Sequence, residues 1–173
     1  MVQNMTDFRD AIQSDFPPIL ALNRQSEHFL SPLDPHKLSR LAKEAAFFQV
    51  TTSEKNVTGF LLAFLAQANY DNPNFLWFKA RYDDFLYIDR IVISEDFRGR
   101  RLATTFYTQL EIQAIDLGVL RLACEINIDP PNSLSLRFHE RQGFTEVGQQ
   151  AICEQGDNNF RKIVSLQIKE LER

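Results

Sequence analysis

The chain has 173 residues, 44% of them hydrophobic and 15 of them phenylalanine, which is enough apolar material for one folded domain over residues 1–173. A formal net charge of -4 and an isoelectric point near 5.4 argue against a nucleic-acid-binding protein with a broad basic face. No apolar run approaches the roughly 18 residues of a membrane span, and the N-terminal residues lack the apolar core of a signal peptide. We therefore expect a cytoplasmic protein that binds neither nucleic acid nor a membrane.

The N-terminal third predicts one strand and two amphipathic helices. The strand is expected over residues 8–12. Asp15, followed by two prolines, is the expected N-cap of a first helix that ends near Glu27. Asp34 followed by Pro35 begins a second helix, in which apolar residues recur at helical spacing.

A hairpin and an aromatic segment follow. Residues 47–52 and 57–66 are predicted strands around a turn at 54–56, and Gly59 in the second strand indicates a close backbone approach or a bulge. After a polar turn, the four apolar residues 75–78 predict a short helix or a flap, which either packs in the core or forms a lid over a substrate. We favour core packing, because large aromatic side chains usually serve that role.

The stretch from Tyr87 to Tyr107 is the segment around which we expect the rest of the fold to be arranged. A nearly continuous apolar strand starts near Asp84, ends at Ile93 and leads through a polar corner into the arginine-rich turn 98–103 and a helix that ends at Leu117. Such a helix start presents unpaired backbone N–H groups and the positive end of the helix dipole at one point. The arginines could simply be solvated charges, but the arrangement is typical of a site for an anion such as phosphate.

The C-terminal third predicts three strands and a helix, at residues 121–128, 144–153 and 160–169 and at residues 133–142. Cys124 and Cys153 both lie in apolar strand patterns, with no cysteine or histidine at the spacing of a metal site. We therefore expect buried reduced thiols and no metal.

The order of these elements predicts an α/β (mixed α+β) fold, with a mostly antiparallel mixed sheet of about seven strands and helices on both faces. Sheets of this kind bind their ligand where the central strands diverge, beside the start of the following helix. The exposed final strand could pair across a homodimer.

Two separated segments resemble motifs of the GNAT N-acetyltransferase superfamily. Residues 98–103, Arg-Gly-Arg-Arg-Leu-Ala, resemble its acyl-CoA loop, Arg/Gln-x-x-Gly-x-Gly/Ala. Residues 132–144, which begin with Asn and end with Gly-Phe, resemble its segment Asn-x-x-Ala-x-x-x-Tyr-x-x-x-Gly-Phe. The order and separation of the two segments match as well. The resemblance implies the fold of this superfamily over nearly the whole chain and an N-acetyltransferase that uses acetyl-CoA.

The resemblance also implies where the cofactor binds. Backbone N–H groups of the turn would hold the pyrophosphate of coenzyme A, the backbone of Ile91 and Ile93 would pair with the pantetheine arm, and Asn132 would lie near its far end. The residues implied to contact the cofactor are Ile91, Val92, Ile93, Arg98, Gly99, Arg100, Arg101, Leu102, Ala103, Thr104, Asn132 and Ser135. Two of them depart from the family pattern. Arg101 replaces the middle glycine of the loop, so we expect a conformation open to L-residues there, and Ser135 replaces an alanine.

Three residues are candidates for the proton transfers that acetylation of an amine requires. Asp89 interrupts the apolar central strand just before the expected thioester and could accept the proton of the amine; otherwise it pairs with Arg90 or Arg81 or faces solvent. His139 stands where the family has its tyrosine acid and could, as an imidazolium, protonate the sulfur of coenzyme A; otherwise it is a histidine on a helix surface. Glu125 on the next strand is a second candidate base.

The sequence gives a limited indication of the acceptor. Asp83, Asp84 and Asp89 crowd the start of the central strand, and negative charge there would attract a cationic amine, of a small molecule or of a peptide. Two other functions stay open. One is a non-catalytic acyl-CoA-binding or regulatory module, suggested by Arg101 and His139. The other is an unrelated phosphate-binding protein, although the sequence contains no glycine-rich nucleotide-binding motif.

Overall fold

A seven-stranded sheet runs through the described part of the chain, residues 6–153 and 161–172 of a computed structural model. Its strands are β1 (Thr6–Asp10), β2 (Phe47–Ser53), β3 (Asn56–Leu65), β4 (Leu86–Ile93), β5 (Arg121–Asp129), β6 (Thr145–Cys153) and β7 (Arg161–Glu170). The α-helices are α1 (Phe16–Gln25), α2 (Pro35–Glu44), α3 (Pro73–Lys79), α4 (Leu102–Asp116) and α5 (Ser133–Arg141). The predicted strand at residues 8–12 is displaced by two residues, and the first residue of the strand predicted at 160–169 lies outside the described residues.

The strand order is β1-β2-β3-β4-β5-β7-β6, and every neighbouring pair is antiparallel except β4 and β5. The helices α1, α2 and α3 cover one face of this sheet, where Ile19, Leu38, Phe60, Phe75 and Phe78 are fully buried. The helices α4 and α5 cover the other face, where Leu61, Ala63, Phe106, Leu110 and Leu122 are fully buried. The predicted mixed α/β fold, with a mostly antiparallel sheet and helices on both faces, is confirmed.

Two predictions about the middle of the chain are confirmed. The aromatic segment forms α3, and its Phe75 and Phe78 have no exposed surface, so it belongs to the core. The backbone approaches closely at Gly59, where an added Cβ would lie 2.7 Å from Ile93 Cδ1 and 2.8 Å from the backbone oxygen of Val92. A side chain at this position would push β3 and β4 apart.

Two side chains differ from the prediction. Asp15 precedes α1, but its carboxylate turns back to accept from the N–H of Ile12 at 2.8 Å and from Arg9 Nη1 at 2.7 Å instead of capping the helix. Cys124 is buried, whereas Cys153 is exposed because β6 is an edge strand of the sheet.

The two parallel strands separate in the middle of the sheet. In the described strands, β4 and β5 pair only through Leu86 with Leu122 and Tyr87 with Ala123. Beyond these residues β4 stays paired with β3 as far as Ile93, while β5 stays paired with β7. The facing edges of β4 and β5 therefore diverge and leave an opening between them.

Candidate active site

A cavity of about 470 Å³ lies where β4 and β5 diverge. Its walls come from both strands, the loop between α1 and α2, the turn before α4, and the helices α4 and α5. The predicted site residues that line it are Asp89, Ile91, Val92, Ile93, Arg98, Gly99, Ala103, Glu125, Asn132, Ser135 and His139. The fold thus brings all three candidates for proton transfer to one cavity, together with most of the residues proposed to contact the cofactor.

A smaller cavity of about 280 Å³ lies against the turn and is lined also by Arg101, Leu102 and Thr104. Of the predicted residues, Arg100 lines neither cavity. Its guanidinium carbon lies 4.6 Å from the centre of the Phe97 ring, and its Nη2 donates to the backbone oxygen of Asp96 at 3.1 Å. Arg100 therefore braces the turn from outside.

The turn between β4 and α4 has the geometry of an anion site. Gly99 has a left-handed backbone conformation, with φ of 76°, and an added Cβ there would meet no atom within 4 Å. The helix begins at Leu102, and the N–H of Thr105 donates to the backbone oxygen of Arg101 at 3.0 Å. The N–H groups that precede Thr105 belong to the first helical turn, which has no intrahelical acceptors for them and favours negative charge.

Position 101 departs from the prediction. Arg101 has φ of 61° and ψ of 16°, a left-handed conformation and not one that L-residues commonly adopt, so the expectation for this position is wrong. A residue other than glycine in this region costs roughly 1–2 kcal/mol. The side chain is exposed, so it obstructs no packing, and the backbone keeps the path that a glycine would take.

A bulge in β4 turns two consecutive side chains to the same face of the sheet. Leu62 of β3 pairs with Arg90, and Ala63 pairs with Ile88, so Asp89 is the extra residue. Regular alternation would place Asp89 and Arg90 on opposite faces. Because of the bulge, both contact groups on the face covered by α1, α2 and α3.

Both oxygens of the Asp89 carboxylate have partners. Oδ1 accepts the hydroxyl of Tyr70 at 2.5 Å, and Oδ2 accepts from Arg90 Nε at 2.6 Å. The buried Arg90 also donates to Asn23 Oδ1 at 2.8 Å and to the backbone oxygen of Ser31 at 3.2 Å. Of the alternatives that the sequence left open, pairing with Arg90 is the one found, and Asp89 does not face bulk solvent.

Glu125 has a different environment. It lies on β5 and is partly exposed, and its Oε2 accepts the hydroxyl hydrogen of Tyr87. Although part of the residue is exposed, burial of its carboxyl group raises the pKa of Glu125 from 4.5 to about 7; the charge of Asp89 adds to this increase, while hydrogen bonds from Tyr87 and Asn74 oppose it. Near neutral pH its carboxylate is therefore divided between the ionised and the protonated form, as a general base should be.

His139 is a neutral, internal group. It is 4% exposed, and burial lowers its pKa to about 4. Its Nδ1 lies 2.8 Å from the backbone oxygen of Ser135, which can only accept, so Nδ1 carries the hydrogen and Nε2 accepts the hydroxyl of Tyr107 at 2.6 Å. The predicted imidazolium is wrong at neutral pH, and so is the alternative of a histidine on the helix surface.

Asn132 and Ser135 lie at the start of α5. The side-chain oxygen of Asn132 accepts from the N–H of Ser135 at 3.2 Å and caps the helix. The hydroxyl of Ser135 lies 3.2 Å from His139 Nδ1. Contact of either residue with a cofactor stays a prediction, but both lie on the cavity wall where such contact is possible.

Three buried tyrosines organise these groups, and none of them was predicted as a catalytic or cofactor-binding residue. Tyr70, Tyr87 and Tyr107 bind the side chains of Asp89, Glu125 and His139, respectively. The available signal was a tyrosine in an otherwise apolar stretch, since a buried hydroxyl needs a partner, but the sequence does not indicate which partner.

The charge at the cavity also differs from the prediction. Asp83 and Asp84 precede β4, whereas the cavity begins at Ile88, so these two carboxylates do not line it. Within residues 6–153 and 161–172, no group of three or more His, Cys, Asp or Glu side chains is arranged to hold a metal ion. No helix in the same residues is long and apolar enough to cross a membrane.

Comparison with known proteins agrees with this geometry. Residues 6–144 match the model of the acetyltransferase (GNAT) family. A search of curated proteins finds no match.

Several solved structures are similar to this chain. One is Ard1 from Thermoplasma volcanium, with 14% identity, a TM-score of 0.76 and coverage of 97% of this chain and 99% of that chain. Another is yncA from Salmonella typhimurium, solved with its cofactor acetyl-CoA, with 15% identity, a TM-score of 0.73 and coverage of 98% and 95%. A third is Naa20 from Chaetomium thermophilum, in complex with a bisubstrate analogue, with 16% identity, a TM-score of 0.74 and coverage of 95% and 86%. At these identities the likeness establishes the fold.

Proposed function

The chain belongs to the acetyltransferase (GNAT) family, whose model matches residues 6–144, and from this we propose that it transfers the acetyl group of acetyl-CoA to a primary amine of a small molecule or a peptide. The observation that carries the proposal is Glu125, a carboxylate with a pKa of about 7 that lines the cavity between the diverging strands. An amine attacks a thioester only after it has lost its ammonium proton. A carboxylate with a pKa near the working pH is suited to accept that proton.

The other end of the cavity supports acetyl-CoA as the acyl donor. The open turn at Gly99 and the first-turn amides of α4 would hold the pyrophosphate, as helix N-termini do for phosphates. The edge of β4 at Ile91 and Ile93, which β5 leaves free, would pair with the pantetheine arm. When bound, acetyl-CoA supplies the acetyl group as a thioester.

The proposal assigns the base role to Glu125 and a structural role to Asp89. In the reaction Glu125 accepts the ammonium proton, the amine nitrogen then bonds to the acetyl carbon, the bond from that carbon to sulfur breaks, and the second proton lost by the nitrogen passes to solvent. A thiol has an ordinary pKa of about 8.5, so the departing thiolate can take a proton from solvent, and no protein acid is required. His139 then serves to hold Tyr107.

The test follows the release of free thiol when the protein is mixed with acetyl-CoA and a panel of primary amines. We expect thiol release that depends on the amine and on protein concentration. Binding of coenzyme A, ATP and NAD is measured in parallel by thermal shift, and coenzyme A should give the largest stabilisation. A protein that binds ATP or NAD in preference to coenzyme A would contradict the proposed donor.

The position of the donor is tested by a pair of substitutions on α4. Ala103 lines both cavities, and Ala103→Glu adds a negative charge where the pyrophosphate is proposed to bind. We expect affinity for coenzyme A to fall at least about tenfold, which corresponds to about 1.4 kcal/mol. Thr108→Glu, on an exposed part of the same helix, is the matched control and should leave the affinity unchanged. Equal affinities in the two variants would refute the placement.

A second candidate is a non-catalytic acyl-CoA-binding or regulatory module. Two observations favour it: Arg90 neutralises Asp89, and both nitrogens of His139 are engaged inside the protein. Such a module would bind acetyl-CoA but release no thiol with any amine of the panel. The same experiment therefore separates the two candidates.

A further inference from the structure

We propose, on the basis of the proposed function, that the preferred acceptor carries an apolar or aromatic group next to its primary amine and no carboxylate there. The inference comes from the loop between α1 and α2. Its residues Ser26, His28, Phe29 and Leu30, called here the acceptor loop, line the cavity that Glu125 also lines. An amine that reaches Glu125 therefore enters the space that this loop bounds.

The acceptor loop offers an apolar surface. The rings of His28 and Phe29 are in contact, with centroids 4.2 Å apart. Leu30 is partly buried and packs against the core beneath α1, α2 and α3. Neither Phe29 nor Leu30 is fully buried, so part of each side chain stays available to a ligand in the cavity.

Two buried cations from different strands fix this loop. Arg90 of β4 donates to the backbone oxygen and to the hydroxyl of Ser31, each at 3.2 Å. Lys162 of β7 donates to the backbone oxygen of Phe29 at 2.9 Å. Because β4 and β7 lie on either side of β5, the loop is held across the strand that carries Glu125. Hydrogen bonds from charged donors are strong, so the apolar wall is preformed before an acceptor binds.

The charges of the cavity disfavour an acceptor carboxylate. Among the described residues that line it, the lysine and arginine side chains are those of Arg90 and Arg98. Arg90 is buried and pairs with Asp89, and Arg98 lies on the turn at the other end, 3.5 Å from Glu95. A carboxylate next to the amine would enter beside Asp89 and Glu125, where no described lining residue offers an unpaired lysine or arginine to compensate its charge. A neutral, apolar neighbour avoids this penalty and gains contact with Phe29 and Leu30.

The test compares matched amines at saturating acetyl-CoA. We expect kcat/KM for 2-phenylethylamine to exceed that for ethanolamine at least about tenfold, since a hydrophobic pocket discriminates by at least about this factor even for one methylene group. We expect kcat/KM for phenylalaninamide to exceed that for phenylalanine, which carries a free carboxylate, by a similar factor. Equal values in either pair would overturn the proposal.

Variants of the loop give an independent readout. Phe29→Ala should raise KM for 2-phenylethylamine about tenfold by removing the apolar contact, with little change for ethanolamine. Its affinity for coenzyme A should stay unchanged. Leu76→Ala, at a residue that is 46% exposed and outside the cavity lining, is the control. A Phe29→Ala variant in which KM rises equally for both amines would contradict the selective role of the loop.

Binding measurements separate this proposal from the proposed function. Calorimetry of the four amines on protein saturated with coenzyme A reports the preference without turnover. If no amine releases thiol, the proposed function fails, and the acceptor preference still stands or falls on the order of these affinities. If all amines are acetylated without preference, the function stands and this inference fails.

Discussion

Asp89 and Glu125 lie on neighbouring strands at the opening between β4 and β5, and each accepts a hydrogen bond from a buried tyrosine. Their surroundings differ in the charge of their partners. Arg90 donates to Asp89 at 2.6 Å, whereas the described hydrogen-bond partners of Glu125, Tyr87 and Asn74, are uncharged. Asp89 is therefore part of a fixed ion pair, whereas burial raises the pKa of Glu125 to about 7. The comparison indicates that Arg90 holds Asp89 in a fixed ion pair, whereas Glu125, which has no cationic partner among the described residues, is the one to which we assign the role of base.

The largest effect should come from the replacement of Glu125, the proposed base. Glu125→Gln keeps the size and the hydrogen bond to Tyr87 but cannot accept a proton, so we expect kcat to fall by about 10²- to 10⁴-fold. The affinity for coenzyme A should not change. The measurement is thiol release with the best amine of the panel, and Glu140→Gln, at an exposed residue of α5, is the control. A Glu125→Gln variant as fast as the control would contradict the assignment of Glu125 as the base.

Loss of the ion pair between Asp89 and Arg90 should lower the free energy of unfolding. Asp89→Asn leaves Arg90 buried without its counterion, and breaking a buried pair in this way typically costs about 3–5 kcal/mol. We expect the free energy of unfolding in urea to fall by that amount. Asp7→Asn, at an exposed residue of β1, is the matched control and should stay within about 0.5 kcal/mol of the wild type. An Asp89→Asn protein of wild-type stability would show that the ion pair does not hold the fold.

The ionised carboxylate of Glu125 should lower the free energy of unfolding, whereas the ionised carboxylate of Asp89 raises it. Its pKa is about 7 in the folded protein and 4.5 as the ordinary value, so between these values the folded state binds more protons than the unfolded state. Stability contributed by the protonated form is therefore lost as pH rises from 4.5 through 7. At pH 8 we expect Glu125→Gln to be more stable than the wild type by about 2 kcal/mol, a figure reduced for its partial exposure. Urea unfolding at pH 4.5 and pH 8 checks this, and a difference that does not grow with pH would contradict it.

In the turn before α4, stability should depend on backbone conformation and not on a charged side chain. Arg101 occupies a left-handed conformation, so Arg101→Gly should raise the free energy of unfolding by about 1 kcal/mol. Arg100→Gly removes the same charge at a residue without a positive φ, and there glycine should be neutral or destabilising. Equal changes in the free energy of unfolding in the two variants would show that the backbone at Arg101 is not strained.

The sequence could predict the part of the cavity at the turn before α4, because that part is formed by consecutive segments of the chain. The apolar strand, the arginine-rich turn and the following helix are consecutive, and the structure places Ile93, Gly99 and Ala103 on one cavity. Their contact with the cofactor is implied by the resemblance to the GNAT superfamily and stays a prediction.

The chemistry of the other end could not be predicted in the same way. The partners of Glu125 and His139 are Tyr87 and Tyr107, which are 38 and 32 positions away. The orientation of Arg90 depends on a bulge that becomes visible only when β3 and β4 are paired. Burial raises the pKa of Glu125 and lowers the pKa of His139, and the sequence alone does not indicate which of these side chains is buried.

The most direct measurement is the dependence of kcat on pH for the wild type and for Glu125→Gln at saturating acetyl-CoA and amine. We predict a wild-type limb that rises with pH through about 7, because Glu125 must be ionised to accept the proton of the amine. In Glu125→Gln that limb should be absent from the residual rate, whereas a limb due to ionisation of the amine itself should stay. A limb near pH 7 of equal position and size in both proteins would contradict the assignment of Glu125 as the base.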